Sequence, residues 1–240
     1  MGVRYRRAAT LPVMAPRDPR LDQVRAVAFD LDDTLCDWSA AIDRALEGLV
    51  DDATAQRFRA AIRRHAWLRD DGVVLSRRHW MTMRDPQRFW RIALPEAPNA
   101  EIDRLADAYT ASLDLSLFDD ARPTLDRLSG SVRLAMLSNG PHAVDRASRV
   151  GILELFEVAL SAPPSTKKPH RDAFDLLVSE LDLIPSAVLF VGDDPEEDVL
   201  GALDHGMRAA WIDRIDSGWT PPDEVVHLRS LAELPGALGV

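Results

Sequence analysis

The sequence predicts an α/β protein with a doubly wound parallel sheet and one inserted α-helical domain. Three apolar runs, residues 26–29, 132–137 and 187–191, have the length and composition of strands that are buried on both faces. Each run ends abruptly in acidic or hydroxyl residues. Helical spacing separates the runs, and strands that alternate with helices form parallel sheets through right-handed crossovers. Ligands bind at the carboxyl ends of such strands, so the polar residues there predict one shared site.

The composition limits the class of protein. The chain has 240 residues, of which 46% are hydrophobic, enough for a substantial core and one insertion. Its net charge of −10 is uneven, because residues 1–20 carry +4 and the remaining 220 residues carry −14. An acidic body argues against sequence-independent binding to nucleic acid. A site that gathers carboxylates around a divalent cation fits this charge better.

Residues 1–22 are predicted to be a disordered N-terminal extension, since they are rich in arginine and contain Pro12, Pro16 and Pro19. A transit peptide is the alternative, although helical periodicity is weak. The segment lacks the apolar stretch of a secretory signal, and no run elsewhere is long enough to cross a bilayer. The single cysteine, Cys36, cannot form an intramolecular disulfide, which favours a cytoplasmic protein, and we interpret it as a packing residue.

The first apolar run leads into three carboxylates and a threonine, residues 30–34. Asp30 and Asp32 are two positions apart, so in an extended chain their side chains project to the same side. Like charges this close are unfavourable unless a cation or a shared proton relieves them. The motif therefore predicts a metal-dependent site. A solvated acidic turn is the alternative that this motif leaves open by itself.

Residues 37–118 predict a helical insertion, because apolar residues recur there at three- and four-residue spacing. The marking positions are Trp38, Ala41, Ile42, Ala45, Leu46 and Leu49, then Phe58, Ile62 and Ala66, then Phe89, Trp90 and Ile92, then Ile102, Leu105, Ala106, Tyr109 and Leu113. Most aromatic residues of the insertion are expected to pack in its core. We expect Trp38, with one or two basic residues, to reach over Asp30 and contact the substrate, since only seven residues separate the two.

The second apolar run continues into Ser138-Asn139-Gly140-Pro141. Gly140 permits a tight turn, and Pro141 suits the first turn of a helix. A hydroxyl beside free N–H groups at the start of a helix can bind an anion, although Ser-Asn-Gly is also an ordinary turn. The remaining predicted elements are a helix over 123–128, a strand over 156–161, a helix over 172–181 and a strand over 209–212.

The third apolar run leads into Asp193-Asp194-Pro195. Asp194 precedes Pro195 and is followed three residues later by Glu197, which is the pattern of a helix N-cap. Asp193, at the end of the strand, is the better candidate for a metal ligand. Asp198 lies one helical turn beyond the cap and could orient a metal-bound water or a nearby lysine.

Together these segments resemble the signatures of the haloacid dehalogenase (HAD) superfamily. The first run and the acidic motif match four apolar residues followed by D-x-D-x-T, and Ser138 ends the second signature. Lys168-Pro169, with Phe174 five residues after the proline, is similar to the third signature, K-P-D-P-x-x-F, although His170-Arg171 replaces the common Asp-Pro. Residues 192–198 match the fourth, G-D-x-x-x-x-D.

The resemblance covers residues 26–213 and implies a fold with two parts. Residues 23–36 and 119–240 are expected to form a HAD-like Rossmannoid core, and residues 37–118 a helical cap. It also implies roles for individual residues. These are a nucleophile at Asp30, a general acid and base at Asp32, Mg²⁺ ligands at Asp30, Asp193 and the backbone carbonyl of Asp32, phosphate binding by Ser138, the Asn139 N–H and Lys168, and an orienting role for Asp198.

The resemblance implies a Mg²⁺-dependent phosphatase that acts on a small phosphorylated metabolite through an aspartyl-phosphate. Asp32 favours the hydrolysis of a phosphate ester over the cleavage of a carbon–halogen bond. A halide leaves without a proton, and the family's dehalogenases lack the second aspartate. A phosphomutase keeps both aspartates and stays open, as does a non-catalytic binding protein on the same scaffold. Sugar phosphates, nucleoside monophosphates and phosphoglycolate-like acids all remain possible substrates.

Overall fold

A computed structural model describes residues 17–70, 73–79, 81–140, 142–163 and 165–240 of the protein. The strands are β1 Ala26–Phe29, β2 Trp67–Asp70, β3 Val73–Arg77, β4 Arg133–Ser138, β5 Val158–Ser161, β6 Val188–Gly192, β7 Arg208–Ile212 and β8 Val226–Leu228. Six of these form one sheet in the order β5-β4-β1-β6-β7-β8, and every pairing in it is parallel. The predicted parallel α/β fold is confirmed.

Helices cover both faces of the sheet and build the insertion. The α-helices of the described residues are α1 Trp38–Leu46, α2 Asp52–His65, α3 Met81–Arg84, α4 Pro86–Ala93, α5 Asn99–Ser112, α6 Ala121–Ser129, α7 Ala143–Arg149, α8 Arg171–Glu180, α9 Gly201–Asp204 and α10 Leu234–Leu238. A π-helical turn, Pro195–Leu200, directly precedes α9. The insertion contains α1 to α5 together with β2 and β3, and the core contains the rest.

Alternation along β1 explains why both faces of the sheet are covered. Val27 and Phe29 point into one buried cluster, which includes residues of α6, α7 and α10. Ala26 and Ala28 point into the other cluster, where Phe174 of α8 packs. Side chains along a strand alternate between the two faces, so an unbroken apolar run must be buried on both.

The insertion has a hydrophobic core of its own. Phe58 of α2 lies against Trp90 of α4 and Tyr109 of α5, with ring centroids 4.2 and 5.0 Å apart. The three rings are fully or nearly fully buried. Contacts between aromatic rings at these separations stabilise the packing beyond the area that they bury. This cluster holds three of the helices together independently of the sheet.

The insertion is not purely helical, which differs from the sequence prediction. Strands β2 and β3 pair in an antiparallel hairpin between α2 and α3. The sequence carries a signal for it, since Asp71-Gly72 stands between two segments that contain β-branched and aromatic residues. The helical spacing on both sides of the segment obscured that signal.

The two ends of the chain also differ from the prediction. The predicted disordered extension covered residues 1–22, of which 1–16 lie outside the described residues. Pro19–Leu21 instead forms a 3-10 helix whose Leu21 side chain is buried, and the Asp18 N–H donates to the Ala237 carbonyl at 2.9 Å. At the other end, β8 and α10 extend the sheet and cover it. No helix in the described ranges is long and apolar enough to cross a membrane.

Candidate active site

The central position of β1 brings the predicted site residues together. Strand β1 pairs in parallel with β4 on one side and with β6 on the other. The residues that follow these three strands therefore meet at one edge of the sheet. Asp30 and Asp32 after β1 face Ser138 at the end of β4, and Asp193 after β6 lines the same cleft. The sequence prediction of a single shared site at the strand ends agrees with this arrangement.

A buried lysine links two of the carboxylates. The Lys168 ammonium lies 2.7 Å from Oδ1 of Asp30 and 2.6 Å from Oδ1 of Asp198, and all three side chains are almost fully buried. Burial raises the pKa of Asp30 and of Asp198, while the lysine counteracts the shift in both. Burial by itself would lower the pKa of Lys168, but the two carboxylates raise it above its ordinary value. Lys168 therefore stays charged between them.

Three acidic side chains form a group that could hold a metal ion. Carboxylate oxygens of Asp30, Asp193 and Asp198 lie within 4.8 Å of one another. Oxygen ligands in this number suit a hard divalent cation such as Mg²⁺. The Thr34 hydroxyl donates to Oδ1 of Asp193 at 3.2 Å and so fixes its orientation. Asp198 belongs to this group, whereas the sequence suggested only an orienting role for it.

The Asp32 side chain does not belong to that group and is held by three donors. Nη2 of Arg146 contacts Oδ1 at 2.8 Å and Oδ2 at 2.7 Å. The Trp38 indole N–H donates to Oδ1 at 2.8 Å, and the Ser138 hydroxyl donates to Oδ2 at 3.2 Å. Arg146 and Trp38 are both buried. Charge-assisted hydrogen bonds of this kind fix the position of a carboxylate strongly.

Trp38, which lies in α1 of the insertion, therefore reaches the site. It contacts Asp32, whereas the sequence analysis expected it to reach over Asp30. Arg146 was missed by the sequence analysis. It lies in α7 with Arg149 one turn later, and the spacing alone does not distinguish the buried arginine from the exposed one. Its position as the fourth residue of the helix that follows Ser138 is the one feature that could have suggested it.

Asn139 connects the second and third predicted motifs through its side chain. Its Nδ2 donates to the Lys168 carbonyl at 2.8 Å, and its Oδ1 accepts from the Lys168 N–H at 2.8 Å. Nδ2 also donates to Glu197 at 2.9 Å. Burial raises the pKa of Glu197, and Asp198 raises it further. The sequence analysis assigned phosphate binding to the Asn139 backbone, whereas the side chain anchors the loop that carries Lys168.

Asp194 caps the helical turn that follows β6, as predicted. Its Oδ1 accepts from the Glu196 and Glu197 N–H groups, both at 2.9 Å. The Asp194 N–H in turn donates to Oδ2 of Asp198 at 3.1 Å. A Cβ atom on Gly192 would collide with the Asp198 carboxylate, so glycine is needed for the approach of that side chain. This cap and glycine together position Asp198 beside Lys168.

The insertion closes over the site through polar contacts. Nδ1 of His79 lies 3.1 Å from Oδ2 of Asp33, and both side chains are buried. Arg78 lies 3.3 Å from Glu197. The contacts connect the segment between β3 and α3 with the loop after β1 and with the π-helical turn after β6. Trp80, one of the aromatic residues of the insertion, lies outside the described residues.

The buried thiol close to the acidic motif has no chemical role in this arrangement. Cys36 is fully buried. Burial raises the pKa of the Cys36 thiol far above its ordinary value, and the Asp32 carboxylate adds to the shift. A thiol that stays protonated is a poor nucleophile. This agrees with the interpretation of Cys36 as a packing residue.

Comparison with known proteins gives the family. The model of the haloacid dehalogenase-like hydrolases matches residues 24–206. The (S)-2-haloacid dehalogenase of Pseudomonas sp. strain YL is 31% identical over 89% of this chain and 95% of its own length. The 5-amino-6-(5-phospho-D-ribitylamino)uracil phosphatase YigB of Escherichia coli K12 is 27% identical over 89% of this chain and 97% of its own.

Solved structures show the same fold. The putative HAD-hydrolase YfnB of Bacillus subtilis, solved bound to magnesium, superposes with a TM-score of 0.70. It is 20% identical and covers 90% of this chain and 99% of its own. The similar proteins thus include a dehalogenase and a phosphatase, and the choice between these activities depends on the site.

Proposed function

The chain belongs to the haloacid dehalogenase-like hydrolases, and from that membership and its site we propose a Mg²⁺-dependent phosphatase. Its substrate would be a small phosphorylated metabolite, hydrolysed through an aspartyl-phosphate. The observation that carries the proposal is the presence of Asp32 beside a group of three acidic side chains around Asp30. Ester hydrolysis uses both features, because it needs a proton for the leaving alkoxide and a counter-charge for the phosphoryl group.

Asp30 is the proposed nucleophile. One carboxylate oxygen would attack phosphorus and form the acyl phosphate, with the P–O bond to the leaving group breaking as the new bond forms. Lys168 contacts Asp30 and offsets the negative charge that accumulates when a phosphoryl group arrives. Mg²⁺ held by Asp30, Asp193 and the Asp32 carbonyl, with Asp198 beside them, would supply further neutralisation of charge on the phosphoryl oxygens.

Asp32 is the proposed acid and base. It would protonate the leaving oxygen in the first step and accept a proton from the attacking water in the second. The donors from Arg146 and Trp38 hold it as an acceptor, which suits the second step. For Asp32 to donate a proton in the first step, Arg146 must release one of the two Asp32 carboxylate oxygens that it contacts. Ser138, which also contacts Asp32, is proposed to bind a phosphoryl oxygen.

A 2-haloacid dehalogenase is the second candidate, because one relative with that activity is 31% identical to the chain. A halide leaves as an anion and takes no proton, so that reaction gives Asp32 no role as an acid. It also has no use for three carboxylates around a cation. A phosphomutase and a non-catalytic binding protein are further alternatives that share the same residues.

The test is a paired assay of phosphate release and halide release. We expect inorganic phosphate from a panel of phosphorylated metabolites, dependent on Mg²⁺, and no halide from 2-chloropropionate. Asp30→Asn should abolish phosphate release. Its matched control is Asp126→Asn, because Asp126 is an exposed aspartate of α6 that pairs with Arg122 far from the site. Halide release without phosphate release would support the dehalogenase instead. Conversion of a phosphate ester into its isomer would support the mutase.

A further inference from the structure

Two side chains from the end of β7 contact the candidate active site, although neither lies in a signature segment. Trp211 is the fourth of the five residues of β7, and Arg214 lies two residues beyond the strand. β7 pairs in parallel with β6, so its end lies at the same edge of the sheet as Asp193. Trp211 contacts Asp193 itself, and Arg214 contacts Thr34. Both contacts lead to one carboxylate of the acidic group.

The indole of Trp211 holds the backbone of Asp193. Its N–H donates to the Asp193 carbonyl at 3.0 Å, and the Trp211 side chain is buried. The indole stacks on the imidazole of His227, with ring centroids 4.7 Å apart, and meets the Trp219 ring edge-on at 4.8 Å. Aromatic contacts of this kind restrict the orientation of the indole. The position of the Asp193 carbonyl is thus fixed by a side chain of the neighbouring strand.

Thr34 connects Arg214 with the side chain of Asp193. The buried Thr34 hydroxyl donates to Oδ1 of Asp193 at 3.2 Å, and the Thr34 carbonyl accepts from Nη2 of Arg214 at 2.9 Å. A displacement of the Thr34 backbone would move the hydroxyl away from the carboxylate. Asp193 is therefore held at two points, its backbone by Trp211 and its side chain by Thr34. Residues at the end of β7 supply one contact and support the other.

Arg214 is itself held in place by an ion pair that is largely buried. Its Nη1 and Nη2 donate to the two carboxylate oxygens of Asp120, at 3.1 and 2.9 Å. Burial by itself would raise the pKa of Asp120, but hydrogen bonds from Arg214 and Ser230 hold that pKa below its ordinary value. The guanidinium also lies over the Phe118 ring, 3.7 Å from its centroid. Nη2 thus bonds Asp120 and Thr34 at once, which the planar fork of an arginine allows.

We propose that Trp211 and Arg214 are positioning residues for Asp193, and that they set the affinity of the site for Mg²⁺. The inference rests on the Mg²⁺ site of the proposed function. Neither residue lines the cleft that contains Asp30 and Asp193, so both act through other residues. A ligand that is already oriented loses little conformational freedom when a cation binds. Substitution of either residue should therefore weaken Mg²⁺ binding even without a substrate.

The experiment titrates the full-length protein with Mg²⁺, in the absence of substrate, by isothermal calorimetry. Trp211→Phe keeps an aromatic ring but removes the N–H, and Arg214→Met keeps an unbranched side chain but removes the guanidinium. Each should raise the Kd for Mg²⁺ by about 10-fold or more, since contacts behind a metal ligand typically contribute about 10- to 100-fold. Asp193→Asn, which alters the ligand itself, identifies the signal that belongs to this site.

Two matched controls separate positioning from a general loss of stability. Trp219→Phe removes an indole that packs on Trp211 and makes no hydrogen bond to Asp193 among the described residues. Arg133→Met breaks an arginine–carboxylate pair with Glu157 at the start of β4, at the opposite edge of the sheet from the site. Neither substitution should change the Kd for Mg²⁺.

Arg214→Lys adds a readout that a merely structural role would not give. The ammonium keeps a positive charge beside Asp120, so urea unfolding should show most of the stability of the unmodified protein. A single nitrogen lacks the fork that joins Asp120 to Thr34, so the Kd for Mg²⁺ should stay close to that of Arg214→Met. A Kd that follows stability across all of these variants would overturn the inference.

The outcomes separate this inference from the proposed function. Mg²⁺ binding by the unmodified protein, with an unaltered Kd in Trp211→Phe and Arg214→Met, would overturn the inference and leave the Mg²⁺ site standing. Trp211→Phe is the milder change and decides the question by itself if Arg214→Met does not fold. The absence of Mg²⁺ binding by the unmodified protein would overturn the Mg²⁺ site and the inference together. The assay of phosphate release tests the phosphatase separately.

Discussion

One nitrogen of Arg146 contacts both carboxylate oxygens of Asp32, at 2.7 and 2.8 Å. The two residues are 114 positions apart and come from α7 and from the loop after β1. The pair is buried, so solvent screens it little. A cation from the core thus holds the proposed acid, while Trp38 from the insertion holds the same group. Substrate binding between insertion and core would act on both contacts.

Asp32→Asn should lower the rate of hydrolysis more for esters with a poor leaving group than for esters with a good one. An alkoxide needs a proton to leave, whereas p-nitrophenolate leaves well without one. We expect kcat for an alkyl phosphate to fall by about 10²–10⁴-fold, the usual contribution of general acid–base catalysis. The rate at which p-nitrophenyl phosphate forms the acyl phosphate should fall much less. The measurement is pre-steady-state release of the leaving group from each ester.

Arg146→Met provides the companion variant for that experiment. It leaves the Asp32 carboxyl in place but removes the cation that holds it. The control is Arg104→Met, an exposed arginine of α5 that has no contact with Asp32 among the described residues. Equal losses for the alkyl and aryl esters in Asp32→Asn would show that Asp32 does not act as an acid.

Lys168→Met should destabilise the protein, and more so at high pH. The substitution leaves the Asp30 and Asp198 carboxyls buried without their shared cation. Removal of one partner from a buried pair costs about 3–5 kcal/mol. Burial raises the pKa of both carboxyls, so the folded variant binds more protons than the unfolded chain above the ordinary pKa of aspartate. Its free energy of unfolding must then fall as the pH rises through that window.

Urea unfolding of Lys168→Met at several pH values measures this effect. Lys167→Met is the matched control, since the adjacent lysine is only half-buried and lies outside the pair. Mg²⁺ should restore part of the lost stability, because a bound cation replaces the missing charge. A loss below about 1 kcal/mol, with no dependence on pH, would contradict the account of a buried charge network.

Gly192→Ala should weaken the binding of Mg²⁺. The added methyl group would collide with the Asp198 side chain, which accepts from Lys168 and from the Asp194 N–H. Displacement of a residue that supports a metal site typically lowers metal affinity by about 10- to 100-fold. Activity as a function of Mg²⁺ concentration gives the apparent affinity. Gly130→Ala is the control, because no atom lies within 4 Å of the added group. An unchanged Mg²⁺ dependence in Gly192→Ala would argue that Asp198 is dispensable.

The sequence predicted the sheet well because the strands are apolar on both sides. β1, β4 and β6 coincide closely with the predicted runs, and their ends supply the site. β8 was not predicted, since it has three residues at the edge of the sheet and His227 interrupts its apolar pattern. Local apolar composition indicates a central strand far more clearly than an edge strand.

Contacts between distant segments could not be predicted from the sequence. Periodicity does not indicate that Arg146 turns inward while Arg149 is exposed, because the packing of α7 on β5 decides this. The double contact between the Asn139 side chain and Lys168 likewise depends on how two loops approach each other. A cavity beside Trp38 and Arg146 is lined by residues of α1, α3, α5 and α7 together, so no single segment encodes it.

The most direct test of the central claim is acid quenching of the protein during turnover of a phosphate ester with Mg²⁺, followed by mass spectrometry of its peptides. The account predicts that the peptide containing Asp30 carries one phosphoryl group, and that Asp30→Asn carries none. Hydrolysis that proceeds without any phosphorylated peptide, or with the phosphoryl group on a different residue, would contradict the account.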